Sequence, residues 1–334
     1  MKKSLIALAT LGAFVGAASA QSSVTLFGIV DANLRYVKNG SNDMKKMGNS
    51  GLAWSRIGFR GEEDLGGGLK AGFWLEGSVG NDDGTSGLFS RRSTLSLMGG
   101  FGEIRLGRDL VPTWTGYGDF DVFGTSGLGG ADRLHQVTGG WRDAGTGADI
   151  VRSSNMISYF LPNMGGIYGQ VSVAAGEGVD PNKYIGARLG YKAGPLDVSF
   201  ALGQNYNVVG NDDLRIYALG AAYDFGGFKL SGAISQNKVT GGGDKERHIT
   251  IGGSVPVGAG LVRASYTNVN GDGKADANQI ALGYVHNLSK RTALYGTVAF
   301  IKNKDDGAYS VDKTPAMQLG KRSSGAEVGI RHSF

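Results

Sequence analysis

Val24-Thr25-Leu26-Phe27-Gly28-Ile29-Val30-Asp31-Ala32-Asn33-Leu34-Arg35-Tyr36 alternates with a period of two. One face reads Val24, Leu26, Gly28, Val30, Ala32, Leu34, Tyr36 and carries no charge, while the other contains Thr25, Asp31, Asn33 and Arg35. Alternation of this kind is the mark of a strand with two unlike faces. Soluble strands usually run ~5–6 residues, whereas a tilted strand crossing a bilayer needs ~9–11. This run is long enough to cross.

The pattern recurs. Trp54 to Glu63 sets Ile57 and Phe59 against Arg56, Arg60 and Glu62, and the strand from Leu69 sets Ala71, Phe73 and Leu75 against Lys70, Trp74 and Glu76. Leu88 to Met98 and Glu103 to Arg108 follow. Further runs lie near 151–161, 167–175, 183–192, 195–205, 213–225, 228–238, 246–256, 259–268, 277–287, 291–302 and 323–334. Sixteen strands are expected. Short glycine or proline turns (162–166, 193–194, 226–227, 256–258) interleave with longer polar loops (38–51, 81–87, 241–245, 268–276, 303–322). Short turns on one side and long loops on the other characterise outer-membrane barrels. Such a sheet must close, because lipid offers no partner to an open edge. Outward-phase Tyr36, Tyr159, Tyr191, Tyr223, Tyr266 and Tyr284 near strand ends fit an aromatic girdle. A soluble β-sandwich would give up strands of this length.

The beat stops between Leu110 and Ile150, where 41 residues include Trp114, Tyr117, Phe120, Phe123 and Trp141 among glycines. A connection beyond ~12–15 residues is usually functional or disordered, and aromatic content argues against disorder. A loop folded inside the barrel, narrowing its channel, is the expectation. The predicted fold is therefore all-β: a 16-stranded antiparallel transmembrane β-barrel with a long inward-folded third loop.

At the N-terminus, Lys2 and Lys3, the apolar run Leu5 to Val15 and Ala18-Ser19-Ala20 read as a cleaved secretory signal peptide over residues 1–20. Residues 21–334 then form one barrel domain. The formal charge of +5 falls to +3 without Lys2 and Lys3, and the basic residues are dispersed, so nucleic acid is not an expected partner. No cysteine is present, so no disulfide supports the fold. Gly reaches 59 residues, scattered through the alternating runs, as closely approaching strands would use it. Asn268-x-Asn270-x-Asp272-Gly273 resembles the start of a calcium loop but has Gln279 where the bidentate Glu belongs. His135, His248, His286 and His332 are widely spaced in sequence and sit in no metal-binding motif. Neither metal nor cofactor is expected.

Ser55-Arg56-Ile57-Gly58-Phe59-Arg60-Gly61-Glu62-Glu63-Asp64-Leu65-Gly66, Leu106-Gly107-Arg108, Leu288-Ser289-Lys290-Arg291-Thr292 and the ending Gly329-Ile330-Arg331-His332-Ser333-Phe334 resemble the general diffusion porins of Gram-negative bacteria. The likeness is strongest to the β-proteobacterial (neisserial and burkholderial) branch and spans the mature chain. It implies a homotrimer in the outer membrane, surrounded by its lipids and inserted by machinery that reads the terminal Phe334. It also implies wall arginines facing acidic groups of the third loop, here Arg56, Arg108 and Arg152 against Asp119 and Asp121. Alternation independently supports Arg56 and Arg152. Arg108 shares the phase of Ile104 and Leu106 and faces inward only if Gly107 breaks the pattern; otherwise Arg105 is the inward residue. Arg92, Arg133 and Asp132 are further candidates.

Rings of charge at a narrow point set which ions pass. Passive diffusion of small hydrophilic solutes, with modest anion preference, is the expected function. A barrel enzyme, needing a His paired with Ser, Asp or Asn at the rim, and an adhesin or structural barrel with a plugged lumen are the alternatives.

Overall fold

The computed structural model describes residues 23–135, 150–178, 183–209, 212–241, 245–272 and 275–334. The expected signal peptide and residues 136–149 of the long segment, Trp141 included, lie outside the described residues.

Seventeen strands occur among these residues: β1 (Ser23–Asn39), β2 (Asn42–Asn49), β3 (Arg56–Gly66), β4 (Leu69–Val79), β5 (Ser86–Gly99), β6 (Gly102–Leu110), β7 (Arg152–Phe160), β8 (Ile167–Ala174) and β9 (Tyr184–Ala193), then β10 (Leu196–Val209), β11 (Asp212–Asp224), β12 (Lys229–Val239), β13 (Lys245–Val257), β14 (Gly260–Gly271), β15 (Ala277–Asn287), β16 (Thr292–Asn303) and β17 (Arg322–Ser333). They form sixteen staves, because β2 and β3 share one edge of β1. β2 pairs with Ala32 to Asn39, and β3 with Ser23 to Ile29. The expected polar loop from Lys38 to Gly51 is thereby corrected: Gly40, at φ +64°, turns the chain straight back and the ladder continues through Asn49. Met44-Lys45-Lys46-Met47 puts its two methionines on opposite faces of the strand, so no alternation marks it in the sequence.

Every neighbour is antiparallel, and β17 returns to β1 with Val30 opposite His332 and Tyr36 opposite Ala326. Gly28 and Phe334 exchange both backbone hydrogen bonds, at 3.0 and 3.1 Å. The ring from β1 through β3 to β17 and back is closed, with β2 a short flap on the edge of β1.

Burial is inverted relative to a soluble protein. Leu95, Ile157 and Val328 are each about 60% exposed, while Ser158, Ser172, Thr250, Thr267 and Gln279 are buried. Apolar side chains outside and polar ones inside suit a wall between lipid and a polar interior. All six tyrosines expected in the girdle are exposed.

Glycine has a specific role on the inner face. Gly220 on β11 lies under the Phe120 ring, where a Cβ would come within 2.0 Å of ring carbon. Gly252 on β13 lies under Val122, with a Cβ at 2.6 Å. These gaps in the wall receive the apolar side chains of the long segment. The loop 304–321 joins them: Tyr309 and Val311 are buried in one cluster with Val37, Phe123, Leu128 and Leu134.

Candidate functional site

Arg56 opens β3 and stands directly opposite Ser78 of β4. Between β4 and β5 the ladder breaks: Glu76 pairs with Arg92, but Ser78 pairs with Gly87, so β5 carries extra residues. Phe89 takes φ +52° within that excursion. The detour brings Arg91 onto Glu76, with Nε 2.6 Å from Oε1, while the Arg56 Nε lies 4.0 Å from the same oxygen. Arg152, at the start of β7, donates from Nε to the Arg91 carbonyl at 2.7 Å. Two guanidiniums thus share one carboxylate, and Arg152 reaches the backbone beside them.

Arg56 stands where alternation expected it, whereas an extra residue in β7 breaks the shared phase of Arg152 and Ser158 and sets Ser153 opposite the buried Asp109. Arg91 is the residue that joins Arg56 on Glu76, and Arg108 bonds elsewhere. No register shift falls between β5 and β6, and Arg108 stays opposite Ser93. Its Nε donates to the Ser90 carbonyl (2.7 Å) and its Nη1 to Ser154 Oγ (3.0 Å). Gly107 does adopt an unusual φ of +122°, but the one extra residue lies on β7, where Asn155 has φ +54°. Arg105 takes the inner-face ion pairs instead, to Glu103 at 2.8 Å and Asp109 at 2.6 Å. Arg91 was hidden because strict alternation makes Arg92 the inward residue.

The long segment meets this wall. Val111 caps the helix α1 (Pro112–Gly118), whose first position is proline, well suited to a turn that needs no N–H donor. Asp119 follows the helix, and Asp121 is buried. The Asp121 carboxylate accepts backbone N–H groups of Phe123 (3.0 Å), Thr125 (2.8 Å) and Ala131 (2.9 Å). Burial pushes its pKa up, against those three donors. Asp121 organises the segment through these backbone bonds, and its charge acts on Arg263 of β14. Asp119 is exposed and pairs with Arg188 of β9 at 2.6 Å. The sequence reading overlooked Arg188, although its phase opposes the exposed Ile185, Leu189 and Tyr191. Arg133 donates to the Gly127 carbonyl, and Asp132 is buried.

Between wall and segment lies a cleft of about 350 Å³, lined among others by Trp54, Arg91, Trp114, Asp119, Asp121 and Arg152. Trp54 donates from Nε1 to the Thr125 carbonyl, tying wall to segment. Farther round, Arg263 of β14 lies 4.3 Å over the Phe123 ring. Glu327 of β17 accepts the Leu128 N–H at 3.1 Å and pairs with Arg35 at 2.6 Å. Arg35 also pairs with Asp312, which Lys46 holds at 2.8 Å. His135, just beyond the buried Leu134, stacks on His248 at 3.9 Å, two residues far apart in the chain. Burial and the neighbouring His248 hold the His135 ring neutral well below the usual histidine range.

A family model described as Gram-negative porin matches residues 5–306. Over the full length of both chains, the protein is 48% identical to outer membrane porin protein 32 of Delftia acidovorans. It is 27% identical to the major outer membrane protein P.IB of Neisseria meningitidis serogroup B, again over both full lengths. Among solved structures it resembles the anion-selective porin from Comamonas acidovorans, with 43% identity and a TM-score of 0.87, covering 94% of this chain and all of that one.

Proposed function

This chain belongs to the Gram-negative porin family, and from that premise we propose how its channel sorts solutes. It is an outer-membrane porin, a water-filled barrel through which small hydrophilic solutes diffuse. The segment from Leu110 folds into the barrel and makes the narrowest point, with Arg56, Arg91 and Arg152 on the wall side. The observation that carries this reading is the arginine group at Glu76, because among the described residues the carboxylates nearest it already have partners. Glu76 meets two guanidiniums, Asp119 is paired with Arg188, and Asp121 is hydrogen-bonded to its own segment. Among the described residues, Arg56, Arg91, Arg152 and Arg188 stand against Glu76, Asp119 and Asp121, four positive charges to three negative. In a lumen with low-dielectric walls this concentrates anions, most strongly at low salt.

Anion preference is therefore the expected selectivity, and the similar Comamonas porin is titled anion-selective. Residues 1–20 serve as the export signal, the barrel assembles as a trimer, and Phe334 presents the chain to the insertion machinery. Reversal potentials in planar bilayers under a potassium chloride gradient test the selectivity. A channel that favours potassium at low salt would overturn the sign.

A further inference from the structure

Below the arginine group, toward the short turns, lies a second recess of about 310 Å³, with Arg60, Trp74, Arg92, Arg105, Glu62 and Glu103 on its lining. Arg60 follows Arg56 by four residues on the same face of β3, about 13 Å farther along the strand at ~3.3 Å per residue. Across the ladder it stands between Thr25 of β1 and Trp74 of β4. Its guanidinium carbon lies 5.1 Å from the Trp74 ring centre and 5.4 Å from that of Phe27. Arg92 lies 4.4 Å over the same indole. The indole is itself held, edge-on to Phe27 at 5.0 Å and donating to Glu76 at 3.2 Å.

The charges here are unequally committed. Arg105 is engaged by Glu103 and Asp109, and Arg92 is approached by Asp109 at 3.5 Å. Glu62 pairs with Lys70 at 3.6 Å. Arg60 is exposed, and among the described residues no carboxylate pairs with it. A guanidinium stacked by its face on an aromatic ring keeps its N–H edge free. That edge is a planar fork matching two oxygens of one oxyanion, a geometry a spherical halide cannot use.

We infer that Arg60 and Arg92, positioned by Trp74, form a second anion site between the constriction and the mouth at the short turns, selective for oxyanions such as carboxylates and phosphates over chloride. Successive sites of moderate affinity let an ion enter and leave quickly. The inference rests on the open channel proposed above. A channel that conducts chloride but shows no oxyanion block fails here alone, whereas one that fails to conduct fails the wider reading.

The test uses the full-length channel in a planar bilayer, measuring chloride current while inorganic phosphate or acetate is added on the short-turn side. Arg60→Gln and Arg60→Lys are each expected to raise the half-blocking phosphate concentration about tenfold or more, because lysine keeps the charge but not the fork. Trp74→Leu is expected to do the same by releasing both guanidiniums. A matching loss of acetate block supports a fork read by any oxyanion; loss for phosphate alone supports a phosphate site. Undiminished phosphate block in Arg60→Lys overturns the proposal, since charge alone would suffice. So does block that Arg152→Ala abolishes and Arg60→Gln leaves intact, since it would arise in the upper cleft.

Discussion

Arg188 on β9 donates from Nη1 to Oδ2 of Asp119 at 2.6 Å, joining the barrel wall to the residue that ends helix α1. The guanidinium also lies 5.1 Å over the Tyr168 ring and donates to Ser199 Oγ. Asp119, which shares a cleft with Arg91 and Arg152, is thereby paired with an arginine from a different strand.

Arg188→Gln should expose the Asp119 charge and move the reversal potential toward cations. Asp119→Asn should move it toward anions, and the double variant should lie near wild type. The pair is partly exposed and contributes about 1 kcal/mol or less to stability, so selectivity is the sensitive measurement. Opposite signs for the single variants are required; equal shifts would remove the screening role.

Arg56→Ala, Arg91→Ala and Arg152→Ala should each lower anion preference, with the largest shifts at low salt because screening weakens charge effects. Arg108→Ala should shift it least, since Arg108 is held by Ser90 and Ser154 outside the cleft. Reversal potentials at two salt concentrations rank the four. A shift for Arg108→Ala as large as that for Arg152→Ala would restore Arg108 to the constriction.

Gly220→Val should displace the Phe120 ring, since even a Cβ would come within 2.0 Å of it. Overpacking of this kind costs about 1–3 kcal/mol. The expected result is an altered single-channel conductance in a barrel that still assembles, because the outer face of β11 is untouched. Unchanged conductance would mean that Phe120 does not hold the segment in the lumen.

The anchor of the loop 304–321 is pH-dependent. Burial pushes the Asp312 carboxyl up, but hydrogen bonds from Lys46, the Thr314 N–H and Arg35 outweigh it and hold the pKa at about 2. A group depressed in the folded state stabilises above its unfolded pKa and loses that contribution as pH falls through the folded one. Stabilisation of roughly 2 kcal/mol should therefore fade between about pH 4 and pH 2. Protease accessibility of this loop should rise over that range, and Asp312→Asn should remove the dependence.

Deleting Phe334 should lower outer-membrane yield far more than deleting a loop residue, because Phe334 exchanges both backbone hydrogen bonds with Gly28 at the closing seam. Equal yields would separate the terminal aromatic from insertion.

The sequence by itself determined the wall. Alternation is a local property, and lipid imposes one sign on the outward phase of every strand, so the sixteen staves, the exposed tyrosines and the inner phase of Arg56 could be read residue by residue. The seam between Val24 and Phe334 followed from the requirement that no edge remain open. What only the tertiary structure decided depends on breaks in that period and on meetings across the lumen. The excursion at Phe89 selects Arg91 beside Arg92; Asp119 pairs with Arg188; Asp121 binds backbone donors of its own segment; β2 folds back along β1. His135 and His248, remote in the chain, stack against each other. None of these has a local period, because each arises from packing between segments that a closed barrel brings together.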